Sequence, residues 1–383
     1  MKKERLIYIL TIFFSALYIF FGNKAANANK IDYTLSQNIG TPMTVKVTKV
    51  VDENYADVIF EGYETEDDII LFEAQIQSGY RKGEIVRAIQ QIDSMYAIRM
   101  KTVEPGDKIV LYKNQNEVAQ DIRYMFAVYH RIDFIIILWV AFFGLLLFLG
   151  KKNGLNTLVS LVFTVLSIFY VFIPAVLNGG NIYSWSISTC IYIILMTLLI
   201  ISGFSKKSLA AMIGCSSGVL MAGIITVLAN NICQLTGLTT EDSMYLLFLN
   251  NETPIDLRAI IFAAIILGAV GAIMDVSMSL SSSLAEMKEQ VGNMTAAQIT
   301  KSGMVVGRDI MGTMANTLIL AYIGSSLSVT LLLAAYNSST PLLLFNSEMI
   351  LVELLQAVAG SLGILLTIPL TSLVCGILYR KNE

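Results

Sequence analysis

Residues 257–280 read Leu257-Arg258-Ala259-Ile260-Ile261-Phe262-Ala263-Ala264-Ile265-Ile266-Leu267-Gly268-Ala269-Val270-Gly271-Ala272-Ile273-Met274-Asp275-Val276-Ser277-Met278-Ser279-Leu280. Arg258 and Asp275 are the only charged residues in this run. At ~1.5 Å per residue, a helix of this length crosses the ~30 Å hydrocarbon core of a bilayer. Apolar runs of comparable kind recur at 134–149, 155–177, 183–203, 208–229, 311–336 and 350–378. The first of these is short and must borrow flanking residues to span. The composition agrees: of 383 residues, 55% are hydrophobic and 14% charged, against roughly 25% charged in soluble domains. A chain this apolar takes lipid as its main solvent. The expected fold is an α-helical polytopic membrane protein of about eight transmembrane helices, seven if the first is removed.

The N-terminus supplies the first of the eight. Lys2, Lys3 and Arg5 precede a run of Leu, Ile, Tyr and Phe, and Ala26-Asn27-Ala28 is similar to a signal-peptidase site. Residues 1–28 are therefore either a signal anchor or a signal peptide cleaved after Ala28. The length of the apolar stretch favours the anchor, and in both cases the following segment is exported.

That segment, residues 29–129, is polar and strand-like. Ile70, Phe72, Ala74 and Ile76 alternate with Leu71, Glu73, Gln75 and Gln77, the period of a half-buried strand. Val45 and Val47, Glu84–Ile89 and Ile109–Tyr112 make similar runs, separated by turns at Gly79–Gly83 and Pro105-Gly106-Asp107. Short strands at this spacing predict a small extracytoplasmic β-rich domain, of OB-like or sandwich type. The acidic stretch Glu61–Asp68 reads as a solvated loop, with a cation site as the alternative. Residues 130–383 then form a seven-helix membrane domain.

Loop charges orient the chain. Lys151 and Lys152, Lys206 and Lys207, Lys288, Lys301 and Arg308, and Arg380 and Lys381 fall in alternate loops, on the side of Lys2, Lys3 and Arg5. The opposite loops, 178–182, 230–256 and 337–349, contain no Lys or Arg. By the positive-inside rule the C-terminus is cytoplasmic and residues 29–129 lie outside, in a multi-pass protein of a bacterial plasma membrane.

Charged and amide groups are costly in lipid, so their positions are informative. Asp275, Ser279 and Ser282 share one helical face, which Glu286 continues. Asp275 lies ~25 Å along the helix from Arg258, in the inner part of the bilayer. In the following helix, Asp309, Thr313 and Asn316 share a face at about the same depth, beside Arg308. Two such stripes can meet, and the expectation is that Arg308 or Asn316 stands near Asp275. Thr295-Ala296-Ala297-Gln298 has capping-box spacing and predicts a short cytoplasmic helix between them. The last helix carries Glu353 and Gln356 near its outer end, with Thr367 and Thr371 deeper and a kink expected at Pro369. Ala210, Gly214, Gly218 and Ala222, and likewise Ala264, Gly268 and Ala272, form small-residue ladders that read as helix packing.

Several functions lack their residues. The four cysteines, Cys190, Cys215, Cys233 and Cys375, form no CxxC, and His130 is the single histidine, so neither a disulfide framework nor a metal site is expected. Without a phosphate-cradling Gly-rich loop or another cofactor motif, no cofactor is expected. No basic cluster with interleaved aromatics is present for nucleic acid. The Ser-rich stretch 277–283 has no membrane histidine or lysine as a base, so the chain does not read as an enzyme.

The runs Gly271–Ser279 and Ser302–Tyr322, the latter containing Gly307-Arg308-Asp309-Ile310-Met311-Gly312-Thr313-Met314, resemble the core of the YibE/F family of bacterial membrane proteins. Gly360-Ser361-Leu362-Gly363 and Pro369-Leu370-Thr371 are also similar to it. The resemblance covers residues 130–378. It implies a permease-like protein of uncharacterised activity and, because the two namesakes are related proteins, a related membrane-protein partner or a homo-oligomer.

The resulting expectation is a permease for an ion or small polar solute. Its site would be built from Asp275, Ser279, Ser282, Arg308, Asp309, Thr313 and Asn316, with Glu353, Gln356 and Thr371 as secondary candidates. The alternative is a non-transporting envelope protein that binds a partner through its exported domain.

Overall fold

The computed structural model describes residues 2–28, 42–53, 55, 68–92, 101–113, 122–248, 254–336 and 341–379. The chain divides into two compact units, Thr34–Leu145 and Met1–Tyr33 with Leu146–Glu383. The first unit therefore reaches sixteen residues beyond the boundary expected at 129, into the start of an apolar helix.

In the first unit five strands, β1 (Met43–Asp52), β2 (Asp68–Ile76), β3 (Ile85–Ile92), β4 (Lys108–Lys113) and β5 (Tyr124–Tyr129), close a barrel in the order β1-β2-β3-β5-β4. All pairs are antiparallel except β3 with β5. Five-stranded closed barrels are the class that includes OB-folds, and closure leaves no free sheet edge. Val45, Val47, Phe72, Ala74, Ile109 and Leu111 fill the interior, as the period-2 pattern requires. Leu71 departs from that pattern. It is buried on the other face of β2, where Ile69, Ile89 and Ile122 form a second small cluster. Residues 61–67 of the acidic stretch lie outside the described residues.

Two polar side chains tie the barrel together. Gly79 and Gly83 bracket the β2–β3 turn at φ 84° and 94°, where a side chain would be strained. Within the turn Arg81 donates to Glu84, with Nε at 2.6 Å, and to the Tyr124 hydroxyl at 2.6 Å. This bond to Arg81 holds the Glu84 carboxyl below its usual range. Gln90 is fully buried. Its Nε2 donates to the Lys101 carbonyl at 2.9 Å, and its Oε1 accepts from the Val103 N–H at 2.8 Å. Gln90→Leu is expected to destabilise the barrel by ~1–3 kcal/mol, because the buried Val103 N–H would lose its acceptor, while the Lys101 carbonyl keeps the Tyr129 hydroxyl. Thermal unfolding followed by far-ultraviolet circular dichroism checks this, and an unchanged midpoint would remove Gln90 from the account.

The second unit is helical: α1 (Lys2–Ala26), α2 (Ile132–Ser167, begun in the first unit), a π-turn (Ile168–Phe172), α3 (Ile173–Leu177), α4 (Ile182–Ser202), α5 (Lys206–Ile232), α6 (Glu241–Phe248), α7 (Leu257–Val291), α8 (Ala296–Ser325), α9 (Leu327–Tyr336), α10 (Pro341–Phe345) and α11 (Glu348–Tyr379). Six helical segments among the described residues are long and apolar enough to cross a membrane: Arg5–Ala26, Ile132–Leu177, α4, α5, α7 and α11. Ile132–Leu177 covers both runs expected at 134–149 and 155–177. It is interrupted at Lys151 (φ 46°, ψ −120°), and there a Cβ on Gly154 would strike the Leu146 carbonyl.

Two expectations are corrected in the α8 region. The run 311–336 is not one helix, because α8 ends at Ser325 and α9 begins at Leu327. Nor is there a short separate helix at Thr295. Thr295 and Gln298 do form a reciprocal capping box, but it starts the 30-residue α8 itself. At the last helix, α11 runs on through Pro369 as a single element.

α11 is the central element, with α5, α7 and α8 packed on it. Along α5, Gly214 faces Thr371, Gly218 faces Thr367, and Ala222 faces Gly363. The small-residue ladder thus has a definite partner, and it lets two backbones approach closely. Along α8, Gly303 faces Ser372 and Gly307 faces Ile368. The second ladder is used less: Ala264 and Gly268 are exposed on α7. On another flank, Tyr18 of α1 stacks on Tyr192 of α4 with ring centroids 3.9 Å apart. Asn178 donates to the Ala26 carbonyl at 2.9 Å, fastening the end of α1.

Candidate functional site

α7 and α8 run antiparallel on α11. Gly268 of α7 lies against Tyr322 of α8, and Leu284 of α7 lies against Gly303 of α8. Between these two points Asp275 falls level with about Thr313, and Ser279 with about Asp309. The matching depth expected for the two polar stripes is therefore present.

The stripes do not meet as a buried pair. α7 buries Ile273, Val276, Ser277, Leu280, Ser281 and Leu284. Asp275, Ser279 and Glu286 are exposed, and Ser282 is half-buried. α8 buries one narrow stripe, Ile299, Gly303, Gly307 and Leu318, and leaves Arg308, Asp309, Thr313 and Asn316 exposed. Among the described residues, no hydrogen bond or ion pair engages the side chains of Asp275, Arg308, Asp309 or Asn316. The expected approach of Arg308 or Asn316 to Asp275 thus produces no bond. The physical reason is the glycine stripe. Gly303 and Gly307 dock α8 on α11, so the polar residues of α8 turn away from the bundle. The space beside each stripe is open, since a Cβ built on Gly271 or Gly312 would meet nothing within 4 Å.

Thr371 goes elsewhere, into a seam of hydroxyls inside the bundle. It is fully buried and lies 3.4 Å from the Ser277 hydroxyl. One turn further along α7, Ser281 donates to the Lys207 carbonyl at 2.8 Å and lies 2.6 Å from the Tyr379 hydroxyl. This seam bonds α7 to α11 and to the start of α5. Ser277, Ser281 and Tyr379 are not among the residues that lipid cost singles out. Their signal was the i, i+4 spacing of Ser277 and Ser281 on the apolar face of α7, together with a tyrosine at the end of α11. Glu353 and Gln356 are half-buried on α11, and Glu353 accepts a hydrogen bond from the Ser326 hydroxyl.

A protein-family model described as YibE/F-like protein matches residues 138–381. The chain belongs to the YibE/F-like family. Both polar stripes, the hydroxyl seam and the α5–α11 interlock lie inside the matched segment, and the five-stranded barrel lies outside it. No curated protein matches the chain. No solved structure matches it. Membership in the YibE/F-like family thus places the helical part of the chain, and its name carries no activity.

Proposed function

We propose that this YibE/F-like protein is a permease for an ion or small polar solute, and that its pathway borders the α7–α8 face near the cytoplasmic side. The supporting observation is the exposure of Asp275 and Ser279 on α7 and of Arg308, Asp309, Thr313 and Asn316 on the neighbouring antiparallel α8 at a matching level. A charge at the bilayer centre costs ~2.5–3.5 kcal/mol on insertion scales. Polar residues on spanning helices therefore face water or protein rather than lipid. On this reading the chain crosses the bilayer with its C-terminus cytoplasmic and its barrel outside, and α1 stays attached as a signal anchor. The wall opposite α7 and α8 comes from a second copy or a related membrane protein.

The test uses Asn316→Cys in a Cys233→Ser background, since Cys233 is exposed and Cys190, Cys215 and Cys375 are buried. In inside-out vesicles, a membrane-impermeant thiol reagent is expected to modify Cys at this position within minutes. Asp275→Asn is expected to abolish solute-dependent behaviour while changing stability by less than ~0.5 kcal/mol, because its side chain supports nothing in the fold. A cysteine inert from both sides of the membrane, with Asp275→Asn indistinguishable from wild type, would remove the permease reading. It would favour the envelope protein that acts through its barrel.

A further inference from the structure

α1 meets its unit where helical hydrogen bonding fails. Pro174 has no N–H to offer the Tyr170 carbonyl four residues earlier, and the chain passes through the π-turn there. Asn23 of α1 supplies a donor, with Nδ2 2.6 Å from that carbonyl. One residue away Gly22 lets α1 approach closely, since a Cβ there would come within 2.9 Å of Val171. α1 thus packs on the π-turn, α3 and α4, and hardly at all on α2 among the described residues.

Two helices pinned at one end and bent apart leave a groove between them. This one has a volume of about 550 Å³ and is lined by Ala16 and Phe20 of α1 and by Phe163 and Leu166 of α2, among others. Sites for small organic ligands have volumes of roughly 300–1,000 Å³. Lys24 and Tyr170 stand at the pinned end. From there the groove runs back along both helices to Ala16 and Phe163, ~10–12 Å at 1.5 Å per residue.

The two ends differ in chemistry. Lys24 is exposed, and among the described residues no carboxylate pairs with it. Residues 153–205, which run from the second half of α2 through the π-turn and α3 to the end of α4, contain no charged residue. Glu4, the one acid of α1, lies at its opposite end. α1 stops two residues after Lys24, so the ammonium stands where a spanning helix leaves the hydrocarbon. The Tyr170 side chain is 55% exposed, and its hydroxyl makes no hydrogen bond among the described residues. A lysine at a helix end reaches headgroups in general by snorkelling; here an apolar trough lies directly beneath it. A soluble anion would use Lys24 and leave the trough empty. A neutral hydrophobe would fill the trough and leave Lys24 unpaired. A molecule with an anionic head and a hydrocarbon tail satisfies both.

We infer that the groove between α1 and α2 binds one anionic glycerophospholipid, with its phosphate at Lys24 and Tyr170 and one acyl chain along Ala16, Phe20, Phe163 and Leu166. The site requires that α1 stay attached, as proposed above, and is independent of the α7–α8 face.

The full-length protein in a mild non-ionic detergent would be incubated with phosphatidylglycerol, or with phosphatidylcholine of the same acyl chains, and weighed intact by native mass spectrometry. One phosphatidylglycerol per chain is expected to stay bound at concentrations where phosphatidylcholine is lost. Lys24→Gln is expected to weaken that binding about fivefold, the effect of one basic residue at a lipid surface, and Lys24→Arg to keep it. Ala16→Trp, at an exposed position inside the groove, is expected to abolish it. If Ala16→Trp does not fold, the two Lys24 variants and the headgroup comparison carry the test. A mass lacking residues 1–28 would overturn retention of α1 and the site with it. With α1 present, the site alone is overturned if neither lipid is retained, or if both bind alike and Lys24→Gln changes nothing. It is also overturned if a second copy of the chain fills the groove, seen as a dimer that Ala16→Trp dissociates.

Discussion

Gly218→Ala is expected to cost ~2–3 kcal/mol of stability, the size of an overpacking change in a well-filled interior. A Cβ at this position would run into Oγ1 of Thr367 and come within 3.0 Å of the Thr367 Cβ and 3.1 Å of Ile273 Cγ2. Thr367 cannot swing aside cheaply. It is fully buried, and its hydroxyl is bonded to the Gly363 carbonyl at 2.7 Å. α5 and α11 would have to separate, and the next contacts of the ladder, Gly214 on Thr371 and Ala222 on Gly363, would loosen with them. Two controls isolate the cause. Gly271→Ala and Gly312→Ala meet nothing within 4 Å, so they are expected to be neutral or to stabilise by up to ~1 kcal/mol through helix propensity. Adding Thr367→Ala to Gly218→Ala removes the obstructing hydroxyl and is expected to recover about half the loss, a coupling typical of residues in contact. Thermal unfolding of the four variants decides. Equal midpoints for Gly218→Ala and Gly312→Ala would refute the interlock.

The second large effect is expected at Glu348, the first residue of α11. Its carboxylate accepts from the Thr236 N–H at 2.5 Å, the Thr236 hydroxyl at 2.8 Å and the Gly237 N–H. Gly237 has φ 90° and lies hard against Leu257, so only glycine can occupy this bend. One side chain therefore joins the loop after α5 to the starts of α7 and α11. Hydrogen bonds to a charged group are worth ~1.5–3 kcal/mol each before solvent competes. Thr236 is exposed, and the three bonds are not additive, so Glu348→Ala is expected to cost ~2–4 kcal/mol in all. Glu348→Gln keeps an acceptor oxygen and is expected to fall between alanine and wild type. The loop should also open locally. Limited proteolysis of Glu348→Ala is expected to cut within 233–256 well before the helices unfold, and a wild-type digestion pattern would show that the loop holds itself.

The apolar runs located the six helical segments long and apolar enough to cross a membrane among the described residues, but took 134–149 and 155–177 as two and 311–336 as one more. Apolar periodicity could not find the break at Ser326, since Ser325, Ser326 and Ser328 are compatible with a continuing helix. It likewise joined 311–325 to 327–336, because hydropathy does not respond to a single residue leaving helical φ and ψ. The barrel strands were readable from alternation at Ile70–Ile76. Leu71 was not, because the cluster that buries it includes Ile122, distant in sequence. At the candidate site, Asp275, Asp309 and Asn316 stand out by type alone, and their common level follows from counting residues. Their outward orientation does not. It depends on Gly303 and Gly307 docking on α11, and a glycine's partner is invisible in its own sequence neighbourhood. Ser277 and Ser281 were passed over for the same reason, since a serine on an apolar face declares nothing until the tyrosine it meets is known.

The central place of α11 also sets an order of events during synthesis. α5, α7 and α8 all precede it in the chain, and each meets it with its own set of residues: the glycines of α5 and α8, and Ser277 and Ser281 of α7. From the end of α5 at Ile232 to the start of α11 at Glu348, a ribosome moving at ~5–20 residues per second needs roughly ten seconds. Through that interval α5 lacks the α11 surface its glycines meet, and α7 and α8 join it in the same condition as they are made, with α5 and α7 free to pack on each other. The bundle is thus a late assembly, vulnerable while incomplete to quality-control proteases and to premature pairing with other chains. It becomes a finished object when the closing helix enters.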